Sequence, residues 1–130
     1  MSSRARRARG LGQLGEDAAA AWYEAAGFEV LERNWRCRQG ELDLVAAKDD
    51  ITVFCEVKTR SSDAFGSPAE AVTGTKRMRL RRLAAAWLLS DRTGLQGSRR
   101  ARVGTVRFDV ASVMVEPEGG LRVEVIEGAF

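Results

Sequence analysis

The sequence contains no histidine, three lysines, two prolines and two cysteines among its 130 residues. Without histidine, the chain cannot build a Ser-His-Asp or Cys-His nucleophile system, an HExxH zinc site or a hydrolase whose general base is imidazole. Cys37 and Cys55 form no CxxC pair, so the sequence predicts neither a zinc site nor a thioredoxin-like motif, but two free thiols in a reducing cytosol. Any catalysis must therefore use carboxylates, lysine, arginine or a metal ion.

Long apolar segments are also missing. No stretch of about 18 apolar residues occurs, and no apolar segment of signal-peptide length follows the basic N-terminal residues. We therefore expect a cytoplasmic protein with no membrane partner. The arginine-rich residues 1–10 have little apolar surface to bury and predict a disordered basic arm, which leaves residues 11–130 as a single domain.

The charged side chains are unevenly distributed, although the formal net charge is only +3. Residues 41–75 carry 3 basic and 7 acidic side chains, whereas residues 76–102 carry 9 basic and 1 acidic side chain. This pattern suits an enzyme that acts on a polyanion through a metal ion, because basic residues bind phosphate and carboxylates bind the cation. A solvated helix face followed by an exposed loop explains the same distribution without any ligand.

The apolar spacing predicts two helices. The first covers residues 13–26, with Leu14, Ala18 and Trp22 in its buried stripe, so Glu16 and Tyr23 are expected on another face. The second begins at the capping pair Ser67-Pro68 and ends near Leu89, with arginines on its outer surface.

Five segments have strand-like composition, at residues 28–33, 41–47, 51–59, 105–115 and 121–126. The order helix, three strands, helix, two strands predicts an α/β fold with a mixed β-sheet flanked by helices. Side chains alternate along a strand, so Leu42 and Leu44 are expected on one face and Glu41 and Asp43 on the other.

A tight turn at residues 49–50 would pair the second strand with the third. That register places Asp43 opposite Glu56 and Glu41 opposite Lys58, so carboxylates and an ammonium group would cluster on one face of the sheet. A register slip of one residue would move these side chains to opposite faces.

Like charges directly opposite each other destabilise a sheet unless something offsets them. A divalent cation would do so, because Asp43 and Glu56 offer the hard oxygen ligands that Mg²⁺ or Mn²⁺ prefer. Lys58 could then orient or deprotonate the attacking water, or stabilise charge on a phosphate, while Glu16 could add a carboxylate. A salt-bridge network of these acids with Lys58 and Arg60, without any metal, is the alternative that the residues leave open.

Several blocks of sequence form a recognisable set between residues 11 and 125. These blocks are Gly15-Glu16, Arg33-Asn34-Trp35-Arg36, Gly40-Glu41-Leu42-Asp43-Leu44-Val45, Phe54-Cys55-Glu56-Val57-Lys58-Thr59-Arg60, Phe65-Gly66 and Lys76. Together they resemble the YraN family of small bacterial proteins. That family is similar to the archaeal Holliday-junction resolvases and to the wider PD-(D/E)xK, or restriction-endonuclease-like, nuclease superfamily.

The resemblance implies a restriction-endonuclease-like, three-layer α/β/α core and metal-dependent hydrolysis of phosphodiester bonds in structured or branched DNA. By position, Asp43 and Glu56 would hold Mg²⁺ or Mn²⁺, and Glu16 and Lys58 would complete the catalytic set. Leu42 stands where the superfamily's name has proline. DNA rather than RNA as partner, and a homodimer that cuts two strands symmetrically, are implied in the same way.

Basic residues in and around these blocks are the expected contacts to DNA phosphates. They are Arg36, Arg60, Lys76, Arg77, Arg81, Arg99, Arg100 and Arg102. A non-catalytic nucleic-acid-binding or adaptor protein that keeps a nuclease fold explains these basic residues equally well. The complete set of three acids and one lysine favours the enzyme, since a protein that only binds has no need to retain it.

Overall fold

The structure, a computed structural model, describes residues 3–61, 74–90 and 104–129, with side chains from Gly10 onward in the first range. Two helices and five strands lie within these residues. In chain order they are α1 (Ser3–Ala25), β1 (Glu29–Cys37), β2 (Gly40–Lys48), β3 (Ile51–Ser61), α2 (Gly74–Leu89), β4 (Thr105–Val115) and β5 (Leu121–Ile126). The predicted order of elements is confirmed.

The five strands form one mixed sheet in the order β1-β2-β3-β4-β5. All neighbouring strands are antiparallel except β3 and β4, which run parallel along their full lengths. Parallel neighbours need a crossover connection, and α2 lies in the one between β3 and β4. None of the described helices has both the length and the hydropathy that a membrane span requires.

Each helix covers a different set of sheet side chains. Ala19, Ala20 and Tyr23 of α1 pack on a cluster that includes Leu44, Ala46, Val53, Cys55 and Ala111. Leu80, Leu83, Ala84 and Trp87 of α2 pack on Leu42, Val45 and Phe54. Adjacent residues such as Val53 and Phe54 belong to different clusters, so the helices lie on opposite faces. This three-layer α/β/α architecture is compatible with the predicted restriction-endonuclease-like core.

Three element boundaries differ from the prediction or lie outside the described chain. Helix α1 begins at Ser3, ten residues earlier than expected, so residues 3–10 are helical rather than a disordered arm. Arginine and alanine are good helix formers, which favours this extension. Strand β1 continues to Cys37. The predicted start of the second helix at Ser67-Pro68 falls outside the described residues, whereas its end at Leu89 is confirmed.

The buried face of α1 is not the predicted one. Leu14, expected in the core, is 53% exposed, whereas Tyr23, expected on another face, is fully buried. Gly15 and Ala19 are buried beside it, and these small residues let α1 lie close to the sheet. The apolar stripe did not predict the buried face of α1, because the hydroxyl of the buried Tyr23 has a partner far away in the sequence.

That partner is Asp109, a fully buried carboxylate in β4. Tyr23 donates its hydroxyl to Asp109 Oδ2 at 2.6 Å, and Arg107 donates from Nε and Nη2 to the two carboxylate oxygens at 2.9 Å each. The backbone N–H of Gly128 donates to Oδ1 at 3.0 Å. Buried charge is tolerated when it is paired and hydrogen-bonded, so this network fixes α1 and the segment after β5 to β4.

We expect Tyr23→Phe to lower the free energy of unfolding by about 1–3 kcal/mol, because it removes one donor from a buried carboxylate. Urea unfolding followed by circular dichroism would show a lower midpoint with an unchanged slope. The double variant Tyr23→Phe, Asp109→Ala should be more stable than the sum of the two single losses predicts, since both changes remove the same hydrogen bond. Strictly additive losses would contradict the proposed role of the pair.

Candidate active site

The hairpin between β2 and β3 has the predicted register. Asp49 and Asp50 form the turn, and Asp49 adopts a positive φ of 54°, which aspartate tolerates better than most residues. Backbone pairing runs from Lys48 opposite Ile51 to Leu44 opposite Cys55. In the described chain it goes no further along the two strands. The pair Asp43 and Glu56, which the same count would place next, therefore lies just beyond the paired part of the hairpin.

Asp43 binds the neighbouring strand through its side chain. Its Oδ2 accepts a hydrogen bond from the backbone N–H of Val57 at 2.9 Å. The carboxylate thus satisfies a backbone donor at the point where the ladder stops. This contact fixes the carboxylate between the diverging strands β2 and β3.

The alternation of side chains in β2 is broken at Asp43. Leu42 packs with the α2 cluster and Leu44 with the α1 cluster, so the expectation that the two leucines share a face is wrong. On β1, Asn34 lies between the paired residues Arg33 and Trp35 and has a positive φ of 54°. Irregular backbone of this kind redirects side chains locally, as at β-bulges, which are common beside active sites.

Glu16, Glu41 and Asp43 form an acidic cluster. One carboxylate oxygen from each lies within 4.8 Å of the others. Glu41 was expected opposite Lys58, and that prediction is wrong, because its Oε2 is 3.1 Å from Nε of Arg36, its cross-strand partner in β1. The sequence hypothesis left Glu41 out of the catalytic set, although its position two residues before Asp43 could have indicated it.

Glu56 and Lys58 lie on the other side of the divergence, in β3. Glu56 is 7% exposed, and its Oε1 is 3.2 Å from Nζ of Lys58. Its Oε2 is buried and has no hydrogen-bond partner among the described residues. Buried carboxylate oxygens normally have a hydrogen-bond partner or a bound ion, so this atom is a candidate metal ligand.

Asp43 carries the largest electrostatic cost in the site. Burial raises its pKa, the Val57 N–H lowers it, and the charges of Glu16, Glu56 and Glu41 raise it further, to about 6. The ionised carboxylate still predominates at pH 7, but it is less favourable here than in an ordinary, solvated aspartate. A divalent cation at Asp43 would lower this cost. Glu16 and Glu41 offer oxygens within 4.8 Å of Asp43, whereas Glu56 lies near enough to raise its pKa but is not in that cluster. These hard oxygen donors fit Mg²⁺ or Mn²⁺.

Lys76 of α2 reaches the same site. Burial lowers the pKa of Lys58, but its contact with Lys76 and the charge of Glu56 outweigh burial, so the pKa lies above its ordinary value. The pKa of Lys76 is lowered, chiefly by that contact with Lys58. Lys58 therefore holds its proton firmly. Lys76 was predicted only as a phosphate contact, and the structure places it beside Lys58.

The remaining predicted contacts are spread over several surfaces. Arg36 lines a groove of about 400 Å³ together with Glu16 and Glu41. Arg60 follows Lys58 in β3, while the guanidinium of Arg81 lies 5.7 Å from the centre of the Phe108 ring. Arg77 is exposed on α2. The predicted contacts Arg99, Arg100 and Arg102, and the motif Phe65-Gly66, lie outside the described residues.

The fold and this site together define an α/β/α domain of the restriction-endonuclease-like type, with acids and a lysine where two central strands separate. A family model described as "Uncharacterised protein family UPF0102" matches residues 15–113. The chain belongs to this family, which is the YraN family that the sequence blocks indicated.

Individual relatives match most of the chain. A UPF0102 protein of Frankia casuarinae is 52% identical over 120 residues, which cover 92% of this chain and 95% of the relative. UPF0102 proteins of Beutenbergia cavernae and Moorella thermoacetica are 52% and 50% identical, over 91% and 92% of this chain and 93% of each relative. The family resemblance is therefore a full-length one.

Gly15 controls how closely Glu16 approaches the sheet. A Cβ at Gly15 would lie 1.8 Å from Oγ1 and 3.0 Å from Cβ of Thr59 in β3. We expect Gly15→Ala to lower the free energy of unfolding by about 1–3 kcal/mol, because α1 must move away from β3. Urea unfolding measures this loss, and Thr59→Ala should recover part of it.

Gly12→Ala is the matched control in the same helix, because nothing lies within 4 Å of a Cβ at Gly12. Alanine there should leave stability unchanged or raise it by up to about 1 kcal/mol through its helix propensity. Equal destabilisation by the two alanines would show that close packing at Gly15 is not the cause.

The raised pKa of Asp43 predicts a pH-dependent stability. The folded carboxyl keeps its proton up to about pH 6, whereas the ordinary value is 3.8, so the metal-free protein loses stability as the pH rises between these values. Asp43→Asn retains an acceptor for Val57 but removes the charge. We expect it to stabilise the metal-free protein by on the order of 1–3 kcal/mol at pH 7.5 and by little at pH 4.5.

Thermal unfolding in EDTA at both pH values measures this difference. Glu118→Gln in the exposed β4–β5 turn is the control and should shift stability little at either pH. A gain for Asp43→Asn that is the same at pH 4.5 and pH 7.5 would contradict the assignment of the raised pKa to Asp43.

Proposed function

We propose that this protein is a Mg²⁺- or Mn²⁺-dependent endonuclease that hydrolyses phosphodiester bonds in structured or branched DNA. The observation that carries the proposal is the buried Oε2 of Glu56, which has no hydrogen-bond partner in the part of the chain that the structure describes. The same carboxylate contacts Lys58 and lies close enough to raise the pKa of Asp43. Asp43 and Glu56 would hold the cation. Glu16, which approaches from α1, would assist them.

A cation bound there would supply Lewis-acid stabilisation of a phosphate and a more acidic bound water. Of the possible roles for Lys58, stabilising charge on the phosphate fits best, because its pKa is raised and the protonated form is favoured. An ammonium group is a hydrogen-bond donor and cannot take a proton from water. Its contact with Glu56 at 3.2 Å holds it beside the carboxylate.

Basic residues around the acids would hold the nucleic-acid backbone. Arg36 lies at the edge of the acidic groove, and Lys76 contacts Lys58 from α2. Contacts of this kind give affinity without sequence preference. The preference for DNA over RNA and the homodimer belong to the same proposal and rest on the family resemblance alone.

Cleavage of labelled four-way junction, flap, linear duplex and single-stranded DNA, with Mg²⁺ or Mn²⁺, tests the proposal. We expect metal-dependent cutting by the wild-type chain and losses of about 100-fold or more for Asp43→Asn and Lys58→Ala, with DNA binding retained. Asp49→Asn and Lys48→Ala are matched controls, because both residues lie outside the site. Asp49 is in the β2–β3 turn, and Lys48 donates a hydrogen bond to Ala26 O at 2.8 Å.

Binding of DNA without cutting by the wild-type chain, under either metal, would contradict the enzyme. It would favour the non-catalytic nucleic-acid-binding or adaptor protein as the function of this fold. Cutting that survives in Asp43→Asn would place the catalytic centre elsewhere.

A further inference from the structure

The arginines of α2 fall on two distinct stripes. Arg79 and Arg82 share one with Thr75 and Met78, as the spacing of three and four residues along a helix requires. Arg81 lies on another stripe, where its guanidinium is 5.7 Å from the Phe108 ring centre. The charge of α2 is thus divided between two surfaces that can be tested separately.

The stripe of Arg79 and Arg82 forms one wall of a groove of about 460 Å³, which Gln39 closes from the β1–β2 turn. The turn is packed against the helix, because a Cβ at Gly40 would lie 3.7 Å from Leu83 and 4.0 Å from Arg79. Neither Arg79 nor Arg82 forms a salt bridge with any carboxylate that the structure describes. Met78 is 58% exposed beside them.

This groove lies in line with the acidic site. The groove that contains Glu16 shares Arg36 and Glu41 with a second groove of about 290 Å³, which Cys37 and Gly40 complete. The arginine groove begins at Gln39, the residue before Gly40. The three grooves therefore follow one another around the β1–β2 turn from α1 to α2, with acidic side chains in the first and arginines in the last.

We infer that the sugar–phosphate backbone of the nucleic-acid strand extends from the acidic site around the β1–β2 turn into the groove of Arg79 and Arg82. This inference rests on the proposed function. The guanidinium groups are complementary to phosphates, and neither is used by a carboxylate of the described chain. Met78 offers apolar surface to a sugar or base that lies between the bound phosphates. The Arg79 and Arg82 stripe then contributes more to binding than Arg77 and Arg81 do.

Fluorescence anisotropy with a labelled four-way junction and a linear duplex, in an Asp43→Asn background with EDTA, measures binding without cleavage. Two double variants each remove two positive charges from α2. The first combines Arg79→Gln with Arg82→Gln, and the second combines Arg77→Gln with Arg81→Gln. We expect the first pair to weaken binding at least about fivefold more than the second and to lower the salt slope by about 0.9 for each phosphate that is no longer neutralised. Arg122→Gln, in β5 at the far edge of the sheet, is the control.

Equal losses of affinity for the two pairs, or a smaller loss for Arg79→Gln, Arg82→Gln, would overturn the inference while leaving the proposed function intact. Failure of the wild-type and Asp43→Asn chains to bind either DNA would overturn both. Thermal unfolding of each variant distinguishes weaker DNA binding by a folded protein from damage to the fold itself. It matters most for Arg81→Gln, because that change also removes the guanidinium that lies over Phe108.

Discussion

The hydrogen bond from the Val57 N–H to the Asp43 carboxylate determines how the candidate site is built. It occurs where the β2–β3 ladder ends, one position beyond the pair Leu44 and Cys55. A side chain that accepts this backbone donor lets the two strands diverge without leaving a buried N–H unsatisfied. Burial of this carboxylate, and next the charges of Glu16, Glu56 and Glu41, raise its pKa to about 6 despite the stabilising donor. A backbone hydrogen bond thus determines the position of the Asp43 carboxylate.

Keeping these like charges together requires a rigid scaffold, and the two core clusters provide it. Tyr23 ties α1 to the buried Asp109, and Gly15 lets the same helix lie against Thr59 of β3. Glu16 follows Gly15 directly, so the packing that stabilises α1 also delivers its carboxylate to Asp43. An electrostatic cost at a functional site is commonly offset by stabilising contacts elsewhere in the fold. The buried Cys55 thiol, whose pKa burial raises to about 12, belongs to this inert scaffold.

The sequence was sufficient for features that depend on local pattern. The strands at residues 105–115 and 121–126 and the register of the β2–β3 hairpin are as predicted, because alternation and turn composition define them. The core face of α1 was not predictable, since the hydroxyl of the buried Tyr23 is satisfied by Asp109, which lies 86 positions away in the sequence. The break in alternation at Asp43 likewise coincides with the positive φ of Asn34, which lies between the same cross-strand pairs in β1.

The charges of the site and its surroundings have opposite signs, and this difference links the two ligands that we propose for it, a divalent cation and a phosphate. Among the described residues, four carboxylates converge on the strand divergence, and Arg36 and Lys58 pair with only two of them. A phosphate would be repelled from such a site unless a cation were bound. In the proposed function, the basic surface of α2 would attract the polyanion in either case. Binding of a divalent cation and of a phosphate at the site would then be thermodynamically coupled, each raising the affinity for the other, while contacts on α2 would add affinity without that coupling.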